Sequence, residues 1–184
     1  MNAEPERVRG AGTLVALLLV GAAVSVALGV YGRQHTPTSE SISTFGFDTL
    51  LDMKSWFTTA ALALGVVQVT TAVRIYERIG RGPSPRAVNV THRLSGALAV
   101  LLSLPVAYQC LWSLGFGTYD TRVWVHSLLG CAFYGVFVTK MLALRVRRLP
   151  GWAVPLLGGT LFTVLVGVWT TSALWFFTSQ PGGY

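Results

Sequence analysis

His92-Arg93-Leu94-Ser95-Gly96 and His126-Ser127-Leu128-Leu129-Gly130 decide the fold. Each stands in one of two long apolar stretches, joined by Gly115-Phe116-Gly117-Thr118-Tyr119-Asp120. Residues 91–145 therefore read as a transmembrane helical hairpin, whose turn is short enough to make the arms antiparallel neighbours. Both arms carry the spacing His-x-Leu-x-Gly. A glycine four residues after a histidine lies one turn along the same helix face and leaves space beside the imidazole, which a flat ligand such as a porphyrin needs. Two plainer uses compete: glycine allows close helix contact in membranes, and a histidine can hydrogen-bond a neighbouring helix.

Outward from this hairpin, three more apolar runs are each long enough to cross a hydrocarbon core of roughly 30 Å. The five expected helices span residues 13–31, 56–73, 94–114, 123–144 and 152–177. With 52% hydrophobic and 11% charged residues and a mean hydropathy of +0.57, the chain belongs to the membrane class and not to soluble domains. The expected fold is all-α: a single domain over residues 1–184, with helices two to five as the bundle and helix one packed outside it. Helix one is read as retained, because its apolar run exceeds a signal-peptide core and lacks a cleavage site.

The net charge of +7 has a one-sided distribution. Arg7 and Arg9 precede helix one; Arg74, Arg78, Arg81, Arg86 and Arg93 surround the second connection; Lys140, Arg145, Arg147 and Arg148 surround the fourth. Only Arg33, Lys54 and Arg122 fall on the other side. This is an orientation signal, placing the amino terminus inside and the carboxy terminus outside, and it points to a lipid bilayer as partner and not to nucleic acid. Cys110 and Cys131 lie in apolar runs and read as small buried residues, neither a disulfide nor a metal site.

Small residues recur at four-residue spacing in Gly21, Ser25 and Gly29, in Ser127, Cys131, Gly135 and Thr139, and in Gly159, Thr163, Gly167 and Thr171. Helices one, four and five should pack closely along these stripes, above all at Gly21, Gly29, Gly159 and Gly167. The outer loop, residues 32–54, is polar and expected to be solvated and mobile, with a short interfacial helix or lid over residues 45–52 as the alternative. Pro105 should kink helix three.

No P-loop, catalytic carboxylate pair, zinc spacing or nucleophile motif appears, and no acidic residue falls in the middle of a span, which disfavours pumps and ion-coupled transporters. Histidine in an apolar helix serves haem ligation, quinone contact or a structural hydrogen bond. His126 lies near the outer surface at the depth of Gln109, and His92 near the inner surface. At the helical rise they are roughly 28 Å apart along the membrane normal. Imidazoles sharing one iron must each approach to about 2 Å, so each histidine needs its own partner. Outside, the candidates are His35 or Met53; inside, Met141. His126 is the leading cofactor residue, because His92 stands at the helix mouth beside Arg93.

The two motif phrases, in a hairpin that continues to Tyr134 and Lys140, resemble helices of small b-type cytochromes such as the ascorbate-reducible transmembrane cytochromes and the haem A synthases. Those families hold haem between histidines on a four-helix bundle. The resemblance implies haem b, with His126 and His92 as iron ligands and His35 and Met141 as further cofactor contacts. Where those families pair histidines at each depth, this chain has one per side, and Gln109 stands where a second ligand belongs. Residues 51–177 also resemble an uncharacterised family of five-helix bacterial membrane proteins. The expected function is a haem b-binding or quinone-contacting electron-transfer subunit of a bacterial cytoplasmic membrane, with a redox or membrane-complex partner. The alternative is a non-catalytic anchor or assembly subunit with structural histidines.

Overall fold

A computed structural model describes residues 4–76, 83–146 and 149–179. Arg78, Arg81, Arg147, Arg148 and the carboxy-terminal residues 180–184 lie outside the described residues, as do the side chains of Arg7 and Arg9. Helices α1 (Glu4–Gln34), α2 (Leu50–Ile75), α3 (Arg86–Leu114), α4 (Thr121–Ala143) and α5 (Ala153–Ser179) account for the five candidate membrane spans.

Helices α1 to α4 all begin earlier than their apolar runs, and at α2 and α3 the cause is local. At α2 the cause is a capping box: the Thr49 hydroxyl accepts from the Asp52 amide, and the Asp52 carboxylate accepts from the Thr49 amide, both at 3.1 Å. The loop expected at 32–54 thereby shortens to residues 35–49. At α3, Pro85 precedes the first helical residue and starts the helix through the polar run before Leu94. His92 therefore lies well inside α3, not at its mouth. Pro105 is followed by a π-helical turn, Gln109–Leu114, and α5 carries a second π turn, Thr170–Leu174.

Among the described residues, α3 packs along α2, α2 along α5, α5 along α4, and α4 along α1, which also reaches the π turn of α3. The expected lateral contact between α3 and α4 is replaced by a gap. Two stripes on α4 explain it. Cys131, Gly135 and Thr139 form its close-approach face and α1 occupies it, while His126 and Tyr134 project from an adjacent stripe toward α3. The Tyr134 hydroxyl spans the gap to the Ser103 carbonyl and hydroxyl at 3.0 and 2.9 Å.

The α1–α4 seam is backbone against backbone. A side chain at Gly21 would collide with the Gly135 carbonyl, and one at Gly135 with the Gly21 carbonyl. Thr139 Oγ1 lies 3.3 Å from the Leu17 carbonyl across this seam. The other stripe glycines differ. Gly167 faces the Leu129 side chain, Gly29 has ordinary contacts to Phe116 and Cys131, and nothing lies within 4 Å of a Cβ built at Gly159. The close packing expected at Gly159 is absent because that face of α5 turns outward.

The loop over residues 35–49 is mostly exposed, as expected of a solvated loop, yet it is fastened to α3. Helix ends leave carbonyls without amide donors. Here the Thr38 and Ser39 amides donate to the Trp112 and Ser113 carbonyls at 3.3 and 3.0 Å. Gln109, 2% exposed, donates to Ser41 Oγ at 3.1 Å and accepts from Ser113 Oγ at 2.6 Å. The residue standing where a second ligand was expected is thus a loop anchor.

Candidate functional site

The gap between α3 and α4 holds a cavity of about 300 Å³, at the lower end of the range for small-molecule sites. It opens at the end of the bundle carrying the α3–α4 turn, and every helix contributes to its wall. Tyr134 and Ser103 lie at its wall where they bridge the helices, Lys54 and Thr58 come from α2, Cys110 from the π turn of α3, and His126 and Gly130 from α4.

His126 is held in a defined orientation. Its Nδ1 lies 3.1 Å from Thr171 Oγ1, in the π turn of α5. The single Thr171 hydroxyl hydrogen goes to the Gly167 carbonyl at 2.7 Å, so the hydroxyl accepts from the imidazole N–H. The neutral ring then keeps its lone pair on Nε2. Arg122 fixes the same π turn, donating to the Thr171 carbonyl at 2.7 Å. Its guanidinium stacks over Trp175 at 3.9 Å and pairs with Asp120 at 3.7 Å.

The Cys110 thiol lines the same cavity, in the neighbourhood of both His126 and Lys54. A donor, an acceptor and a nucleophile therefore share one wall of an otherwise apolar chamber. π turns cluster at functional sites because they re-aim side chains within a helix. Both π turns here serve this wall, one carrying Cys110 and the other Thr171. Gly130, one turn beyond His126, has nothing within 4 Å of a built Cβ, so the space beside the ring is open.

The second motif has a different outcome. His92 Nδ1 meets Thr71 Oγ1 at 2.8 Å, and the Thr71 hydroxyl donates to the Val67 carbonyl at 2.6 Å, so this imidazole is also oriented by a threonine. The space left by Gly96 is filled by the Gln68 amide, which donates to the His92 carbonyl and, at 2.8 Å, to Ser95 Oγ. Identical spacing yields a chamber at one histidine and a filled contact at the other.

Of the residues expected to serve a cofactor, only His126 lines the cavity. His35 is stacked between Tyr31 and Trp112, with centroid distances of 5.2 and 4.4 Å, and its buried Nε2 has no hydrogen-bond partner among the described residues. Met141 is 42% exposed on the outside of α4, and Met53 is fully buried in the packing of α2. Among the described residues no group of three or more His, Cys, Asp or Glu side chains is arranged to hold a metal ion. Lys54 and Cys110 escaped the sequence reading. The available signal was a lysine in the first turns of an apolar helix, near the depth of His126.

These features define a class: a helical protein with five helices long and apolar enough to cross a membrane and a ligand-sized chamber at one end. The chain belongs to a family of unknown function, DUF6529, which matches residues 14–182. No curated protein and no solved structure matches it.

Proposed function

We propose that the protein spans a bacterial cytoplasmic membrane and binds the head group of a quinone in the cavity beside His126, as an electron-transfer subunit. The observation that carries this reading is that the His126 imidazole and the Lys54 ammonium line one otherwise apolar chamber whose flank at Gly130 is open. A hydroquinone hydroxyl donates to Nε2, and the opposite charge demand, a carbonyl or phenolate oxygen, is met by the ammonium. The single ring of a quinone suits a chamber of this size better than a tetrapyrrole.

Haem b fits on one side only. His126 would offer an oriented Nε2 to a haem iron, but His35, His92 and Met141 do not line the cavity and would not supply the second ligand. The test is equilibrium titration of the detergent-solubilised protein with a short-chain benzoquinone. Saturable binding is expected, weakened about tenfold in His126→Leu, the loss of roughly one hydrogen bond. A preparation made with ample haem that shows a Soret band, lost in His126→Ala, would replace the quinone reading by the haem one. Neither signal would leave the anchor or assembly subunit.

The orientation is proposed from the basic residues, with the amino terminus inside and the cavity end outside. In a chain with Cys110 and Cys131 replaced by serine, a cysteine at Tyr119, 85% exposed beside the cavity mouth, should react with an impermeant thiol reagent added outside. One at Ser84 should not. The reverse pattern would invert the protein in the membrane.

A further inference from the structure

We infer that Cys110 is an activated nucleophile that captures flat α,β-unsaturated carbonyl compounds entering the cavity, forming a thioether on the wall between His126 and Lys54. This goes beyond the quinone reading, since it needs the chamber and the thiol but no reversible electron carrier.

Three helices converge to build the site: α2 brings Lys54, the π turn of α3 brings Cys110, and α4 brings His126. Thiols react as thiolates, and a neighbouring base and cation are the features that distinguish reactive cysteines from structural ones. Both are present here, and their roles are separable. His126 has committed its Nδ1–H to Thr171, so Nε2 is the free base in the cavity that Cys110 also lines. Lys54 has no basic function to perform beside it and supplies positive charge. Cys131 also lines the cavity, 8% exposed and beside Gly29 of α1, so the two thiols must be told apart by substitution.

The step balances without an external oxidant or reductant. The Sγ–H proton passes to Nε2, and the sulfur lone pair forms a C–S bond at the β-carbon. The C=C π pair moves toward the carbonyl, whose oxygen gains negative charge beside the Lys54 ammonium. The proton held on His126 then returns to the α-carbon, or to oxygen when the acceptor is a quinone, in which case the ring C–H proton at the new C–S bond then shifts to the second oxygen and a hydroquinone thioether results. The chamber supplies the selectivity, because its volume of about 300 Å³ and mostly apolar lining favour a small, largely apolar electrophile.

The experiment uses the full chain carrying Cys131→Ser, in detergent, with N-ethylmaleimide as probe and intact mass as the readout. The reference is the same chain unfolded in dodecyl sulfate, where the thiol is fully accessible. The folded protein should react faster than this reference by about tenfold or more, although Cys110 is only partly exposed. His126→Gln and Lys54→Met should each bring the folded rate down to the reference or below, while Lys54→Arg retains most of it. A folded rate at or below the reference, or a folded Lys54→Met or His126→Gln protein that keeps the fast rate, would overturn the inference. Should a variant fail to fold, the ratio of folded to unfolded rates in the parent chain decides alone. A protein that captures maleimide rapidly but binds no quinone keeps this inference and loses the quinone reading. One that binds quinone while Cys110 reacts slowly does the reverse.

Discussion

Gly135→Leu detaches α1 from α4. At this position the added carbon meets the Ser25 hydroxyl and, behind it, the backbone of Gly21, which cannot move aside as a side chain can. Overpacking a well-filled contact costs roughly 1–3 kcal/mol when side chains can shift, and more is expected where the obstacle is a helix backbone. Among the described residues α1 packs chiefly on α4, with a smaller contact to the π turn of α3. Thermal unfolding in detergent should drop strongly for Gly135→Leu. The effect should be intermediate for Gly167→Leu, where the Leu129 side chain can move, and near zero for Gly159→Leu, which faces open space. Equal stability of the three variants would contradict the assignment of faces.

The second large effect is on binding and leaves the fold intact. Gly130→Leu places a side chain where nothing lies within 4 Å of the built Cβ, so overpacking does not arise. That space is the flank of the chamber beside His126. Filling it should raise the dissociation constant for a short-chain benzoquinone by about a hundredfold, equivalent to roughly 2.7 kcal/mol, while the thermal midpoint stays at or above that of the parent. A Gly130→Leu protein that binds as tightly as the parent would place the ligand elsewhere. The matching substitution at Gly96 should behave oppositely, harming stability through the Gln68 amide and leaving quinone binding unchanged.

The helices were legible because hydrocarbon demands long apolar runs, and five such runs stand out. Their ends were less so. Leu50 and Arg86 open helices in polar sequence, where a capping box and a proline decide the boundary and hydropathy carries no information. The small-residue stripe of α4 was visible, but spacing cannot say which partner fills it; α1 does, and α3 is held away by His126 and Tyr134. Both π turns were hidden, apart from the hint of Pro105, since an extra residue per turn has no compositional signature. The chamber was hidden for the same reason that the two glycines diverged. Gly96 and Gly130 occupy equivalent places in their motifs, and only the neighbouring helix determines whether a glutamine or open space lies across from them. Lys54, Cys110 and His126 converge from three helices, a proximity that distance along the chain cannot express.

The site is tested most directly by photolabelling the folded protein with a short-chain azidoquinone and mapping the adducts by peptide mass spectrometry. Quinone binding beside His126 requires adducts on the cavity-lining segments of α3 and α4, near Cys110, His126 and Tyr134, and their suppression by excess unlabelled quinone. Adducts spread over the outward faces of α1 and α5, unaffected by competitor, would mean that the quinone partitions into the detergent and that the cavity does not bind it.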